Sequence, residues 1–137
     1  LYSHYPLILF VFQKFIYSEE ILERTYQAAV QYGACVTAMP VKDTIKLADS
    51  DGFVNETPER GLVWMIQTPQ VFESGLVKEA YALLMEQECI QVTDDAMVVE
   101  QMLGHKVKLT EGSYENIKIT TPEDLDIAEI FVKKLLK

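Results

Sequence analysis

Cysteine is nearly missing from this chain. Cys35 and Cys89 are the only two among 137 residues, too few for a disulfide framework and without the paired spacing of a zinc site. Long apolar runs are missing as well. The longest, Leu7 to Phe12 after Pro6, falls far below the ~20 residues needed to span a bilayer, and it lacks the basic start and cleavage site of a secretory signal. No glycine-rich phosphate loop occurs: the six glycines are scattered as turns and caps. Positive charge is in deficit. Twelve Lys and Arg against 21 Asp and Glu give a formal charge of −9, which argues against nucleic acid or an anionic membrane as a bulk partner. A few local cations could still hold a small phosphorylated ligand. These absences together predict a reducing, cytoplasmic setting.

What is present suits one domain. Hydrophobic residues make up 49% of the chain, enough for a real core. The opening LYSHYPLILFVFQKFIY is dense in aromatics with no clear period; it reads either as a buried strand or as the cut edge of something longer. SEEILERTYQAAVQYG reads as a helix capped by Ser18, with Glu19 and Glu20 at the positive end of its dipole and Gly33 as its stop. ACVTAMP is a short buried strand. Asp51-Gly52 marks a hairpin turn within residues 41–67, a stretch poor in core residues that we expect to project as a β-arm and pack on a partner in a dimer. TPQVFESGLVKEAYALLMEQE and VTDDAMVVEQMLGH read as helices, the second stopped by Gly104. HKVKLTEG and ENIKIT read as strands. The last helix starts with Thr121 as cap, Pro122 at its first position and Asp124 at its third. Strands alternate with helices, predicting an α/β three-layer fold.

Four segments carry polar groups at element ends: PVKDTIK with Thr44, PERGLVWMIQTPQVF with Arg60 and Thr68, VTDDA with Thr93, Asp94 and Asp95, and NIKITTPEDL with Lys118. Each has an ordinary account. Thr68-Pro69 can simply start a helix, Thr93 or Asp94 can be an N-cap, Lys118 can guard a strand edge, and Arg60 can be a solvated charge. Asp94 and Asp95 point apart as helix neighbours, which disfavours a two-carboxylate metal site. His4 and His105 have no second ligand nearby. Open α/β sheets, however, bind ligands at the carboxyl ends of their strands. If Thr68 and Thr93 precede helices and Lys118 lies beside one, then hydroxyls, backbone N–H groups and an ammonium converge as a phosphate ester requires. No nucleophile–base set accompanies them. The chemistry implied is positioning and charge neutralisation, as in phosphoryl or nucleotidyl transfer.

In this order, PVKDTIK, WMIQTPQVF, VTDDAMVVE and EGSYENIKITTPEDL closely resemble the 2-C-methyl-D-erythritol 4-phosphate cytidylyltransferase family over roughly residues 18–131. QTPQ and NIKITTPEDL are shared with ribitol-phosphate cytidylyltransferases, whereas VTDDA and EGSYENIK are more specific to the erythritol-phosphate enzymes. The resemblance implies an incomplete Rossmann-like nucleotidyltransferase fold with a β-arm that clasps a second subunit. It implies transfer of CMP from CTP to methylerythritol phosphate, with magnesium, in the non-mevalonate route to isoprenoids. Lys118 would stabilise charge developing at the α-phosphate. Thr68 and Thr93 would hold methylerythritol phosphate, and Thr44 and Arg60 on the arm would contact its phosphate across the dimer interface. The family's Gly-rich CTP loop and metal-binding aspartate have no counterpart: no aspartate occurs before Asp43, and residues 1–17 are atypical save Phe15. The expectation is a truncated or frameshifted form, inactive alone, with a non-catalytic dimerisation and substrate-binding fragment as the alternative.

Overall fold

The computed structural model of the chain describes residues 8–11 and 18–135; His4 and most of the atypical opening lie outside them. Four strands form one sheet, β1 (Ile8–Val11), β2 (Ala34–Pro40), β5 (Trp64–Glu73) and β6 (Lys108–Glu111), in the order β1-β5-β2-β6. β5 runs antiparallel to β1 and β2, and β6 runs parallel to β2. Helices α1 (Glu19–Tyr32), α2 (Ser74–Met85), α3 (Asp95–Leu103) and α4 (Pro122–Leu135) complete the chain, with a small hairpin of β3 (Leu47–Ala48) and β4 (Val54–Glu56).

The three layers follow from the period of two along a strand. Ala34, Val36 and Phe72 face one way and are buried with Val77, Ala80, Ala96, Val98 and Val99 of α2 and α3. Cys35 and Val71 face the other way, against Ala29 of α1. β2 is therefore covered on both faces and is buried along nearly its whole length, its one polar residue, Thr37, meeting the Thr25 hydroxyl at 3.0 Å. The α1 caps form as expected: the Ser18 side chain accepts from the Ile21 amide, and Gly33 takes a left-handed φ of 81° that a side chain would resist. Gly104 ends α3 in the same way.

Three expectations need correction. Thr68-Pro69 does not begin a helix. Both residues lie inside β5, and α2 starts only at Ser74. The strand tolerates Pro69 because the β2–β5 register slips between Val36 and Ala38, an irregularity of the kind where a strand can hold a residue with no N–H to give. The run Leu62 to Gln67 is likewise no part of the arm. It leaves a 3-10 turn at Arg60–Leu62 and enters the main sheet, where Trp64 pairs with Pro40. ENIKIT forms no strand: within it only Lys118 makes an isolated bridge.

The hairpin itself is exposed along both arms. Its turn is tied by Asp49, whose carboxylate accepts from the Asp51 and Phe53 amides at 3.0 and 2.9 Å. In α4 Ala128 is buried, while Leu125, Ile127, Ile130 and Val132 are exposed.

Candidate functional site

A cleft of about 570 Å³ opens between β5, the start of α3 and the segment ahead of α4. Thr68, Thr93 and Lys118 all line it, as do Gln67, Gln70, Tyr81, Asp94 and Asp95. Three of the five residues singled out from the sequence thus meet in one place, although they are spread across 50 positions of the chain. Thr44 and Arg60 do not reach the cleft. Thr44 is exposed beyond β2, and the Arg60 guanidinium donates to the Lys42 carbonyl at 3.3 Å at the base of the arm.

β5 supplies the floor. Thr68 is only 7% exposed, yet its hydroxyl has no hydrogen-bond partner among the described residues. A buried polar atom left unpaired costs roughly 1–3 kcal/mol, so this hydroxyl is free to take a partner entering the cleft. Gln70, also buried, spans from the floor to α3. Its Nε2 donates to Asp94 Oδ2 at 3.0 Å and its Oε1 accepts from the Ala96 amide at 3.2 Å. Asp94 Oδ1 accepts from the Met97 amide at 2.9 Å, which makes Asp94, not Thr93, the N-cap. Thr93 stands just outside the helix, exposed, with its hydroxyl near Met97 Sδ at 3.5 Å.

The helix starts therefore offer less to a phosphate than expected. At α3, Gln70 and Asp94 take the Ala96 and Met97 amides. At α4, Asp124 Oδ2 takes the Thr120 and Thr121 amides at 2.9 and 2.8 Å. These hydrogen bonds hold the Asp124 carboxyl well below its ordinary value, at about 2. The Asp124 carboxylate thus takes the two amides just ahead of α4 and sets its own negative charge against an anion there. Lys118 is exposed and its ammonium makes no hydrogen bond or ion pair with the described residues, which leaves it available to the cleft.

The electrostatic balance is uneven. The cleft wall holds one cation, Lys118, and two carboxylates, Asp94 and Asp95. Both carboxylates are engaged, Asp94 as above and Asp95 by the Tyr81 hydroxyl. Burial, and next the Asp95 carboxylate it donates to, push the Tyr81 phenol up to about 12, so at neutral pH it remains a donor. A doubly charged phosphate in this cleft needs further cations from outside it. Among the described residues no group of three or more His, Cys, Asp or Glu could hold a metal ion.

Residues 12–134 match the family described as IspD, 2-C-methyl-D-erythritol 4-phosphate cytidylyltransferase. The chain belongs to this family. It is 54% identical over 117 residues to the 2-C-methyl-D-erythritol 4-phosphate cytidylyltransferase of Lachnospira eligens, covering 85% of this chain and 52% of that protein. To the enzyme of the same name from Caldanaerobacter subterraneus it is 51% identical, covering 85% and 51%. The fold agrees. The crystal structure of 4-diphosphocytidyl-2C-methyl-D-erythritol synthase from Anaerococcus prevotii superposes with a TM-score of 0.80 at 39% identity, covering 86% of this chain and 52% of that one. The Thermus thermophilus cytidylyltransferase gives 0.73 at 34% identity, covering 86% and 57%. An α/β Rossmann-like nucleotidyltransferase architecture, present in part, is thus established. The chain spans about half the length of the curated relatives it matches.

Of the cleft residues, Gln67, Gln70 and Tyr81 were not anticipated. The Gln residues flank Thr68-Pro69 in QTPQ; positions three apart fall on opposite faces of a regular strand, so it is the register irregularity in β5 that brings both to the cleft.

Proposed function

We propose that this chain supplies the sugar-phosphate side of a cytidylyltransferase. The whole reaction would transfer CMP from CTP to 2-C-methyl-D-erythritol 4-phosphate, giving 4-diphosphocytidyl-2-C-methylerythritol and pyrophosphate, in a soluble enzyme of the cytoplasm. The observation that carries this reading is the convergence of Thr68, Thr93 and Lys118 on one cleft in a chain of this family. The Thr68 hydroxyl and Thr93 orient the acceptor. The Lys118 ammonium neutralises charge that grows on the α-phosphate as the acceptor phosphate attacks and pyrophosphate leaves; such preorganised charge is commonly the largest single contribution to catalysis. Magnesium would add charge neutralisation when bound, with ligands beyond those described.

The surplus of carboxylates in the cleft supports a second part of the reading. Arg60 and Thr44 flank an arm whose Leu47, Phe53 and Val54 are exposed. Such an arm suits a homodimer in which one subunit's Arg60 and Thr44 reach the other's acceptor phosphate and supply the missing cation.

No glycine-rich loop for CTP phosphates occurs in these residues, which favours a substrate-binding and dimerising role for the 137-residue chain in isolation. Pyrophosphate release from CTP and methylerythritol phosphate tests this: little or none is expected from the chain alone, and robust turnover would overturn it. Calorimetric titration should register methylerythritol phosphate and not CTP. Preference for ribitol phosphate in a competition assay would move the chain to the sister enzymes, against which VTDDA argues.

A further inference from the structure

Gln67 lines the cleft, yet it has nothing left to give a ligand. Its Nε2 donates to the Ser113 and Asn116 carbonyls at 2.8 and 3.2 Å. Its Oε1 accepts from the Ser113 amide at 3.4 Å and from Asn116 Nδ2 at 3.3 Å. A carboxamide has two N–H donors and an oxygen with two lone pairs, and one loop engages all of them. Asn116 Nδ2 also donates to the Thr68 carbonyl at 2.7 Å, and Asn116 is 3% exposed. The loop is pressed close at its other end too: a Cβ on Gly112 would lie 2.2 Å from Gln67 Oε1 and 2.6 Å from Thr37 Cγ2.

Lys118 follows Asn116 by two residues, in a stretch whose only sheet-type pairing is its own single bridge. The sheet ladder therefore does little to fix this backbone. The two amide side chains join it to the strand that carries Thr68.

We propose that Gln67 and Asn116 are a positioning pair that sets the Lys118 backbone against Thr68, so that the Lys118 ammonium and the Thr68 hydroxyl engage one ligand. The assignment rests on the reading of the cleft as a phosphate-ester site. Neither amide touches the reacting atoms. Their work is to restrict where the lysine can be, which matters because small displacements of a positioned group carry large penalties in rate and affinity.

Two measurements on the 137-residue chain test the pair. The first is hydrogen exchange in Asn116→Ala and in Gln67→Glu, the latter keeping shape while removing both donors. The reporting amide is that of Ile117, which donates to the Glu115 carbonyl at 3.0 Å. Its exchange should rise about tenfold or more in both variants while β2 and β5 amides keep their protection. Unchanged exchange at Ile117, or an equal rise throughout the sheet, would overturn the proposal.

The second is a double-mutant cycle for methylerythritol phosphate binding. Asn116→Ala and Lys118→Ala should each weaken binding, and the double variant should bind no more weakly than Lys118→Ala alone, since a positioning residue has no effect once the group it positions is gone. Losses that multiply would show that Asn116 acts independently of Lys118, and would overturn the pair while leaving the site intact. Wild-type binding by Lys118→Ala would instead overturn the phosphate reading, and with it the pair's assigned purpose, whatever the exchange at Ile117.

Discussion

Gln70 holds Asp94 across the cleft: its Nε2 donates to Asp94 Oδ2 at 3.0 Å, joining strand β5 to the cap of α3. The same side chain accepts from the Ala96 amide, so one buried carboxamide serves both the cap and the first turn it caps. Thr93, next to Asp94 in the chain, lines the same cleft as Thr68. Truncating Gln70 would leave a buried amide and one carboxylate oxygen short of partners.

Gln70→Ala should accordingly cost about 1–3 kcal/mol of stability, the range for stranding a buried hydrogen-bonding group. Urea unfolding followed by circular dichroism would measure it. Gln70→Glu should be costly as well, because it sets a carboxylate against Asp94. A loss below roughly 0.5 kcal/mol, the usual scatter of surface substitutions, would mean that the link carries no strain-free load in the fold.

Thr68→Val separates function from stability. The hydroxyl is buried without a partner, so replacing it by a methyl removes an unsatisfied group from the free protein. The melting temperature should hold or rise, while methylerythritol phosphate binding falls by about tenfold, the loss of roughly one hydrogen bond to a charged group. A variant that melts earlier and binds unchanged would contradict both parts.

Asp124 should confer a pH dependence at the start of α4. Its folded-state value, about 2, lies below its ordinary 3.8. A depressed carboxyl stabilises the fold above its unfolded value and loses that contribution as pH falls through the folded one. The difference in melting temperature between wild type and Asp124→Ala should therefore be full at neutral pH and narrow between pH 3.8 and about 2. A difference constant across that window would exclude the capping role.

The thiols should separate cleanly. Cys35 is fully buried and Cys89 exposed, and burial pushes the Cys35 thiol up, further lowering its reactivity. A thiol reagent should label one cysteine per native chain, at Cys89, and both after denaturation. Native labelling at Cys35 would mean that the α1 layer opens readily.

The sequence by itself determined the features that depend on neighbours. Ser18, Gly33, Gly104 and the Thr121-Pro122-Asp124 start were legible because a cap closes hydrogen bonds over three or four residues and needs particular side chains or a left-handed φ there. The motif order likewise carried the family and placed Thr68, Thr93 and Lys118 together. Only the tertiary structure decided that Thr68-Pro69 lies within a strand, since Thr-Pro fits a helix start locally and the pairing with β2 that takes it up comes from a distant part of the chain. Only it decided that Gln70 takes the Ala96 amide at the start of α3 and that Gln67 meets Asn116, 49 positions away. The physical reason is that strand pairing and a carboxamide's choice of partner are set by how distant strands and loops pack, not by the residues beside them.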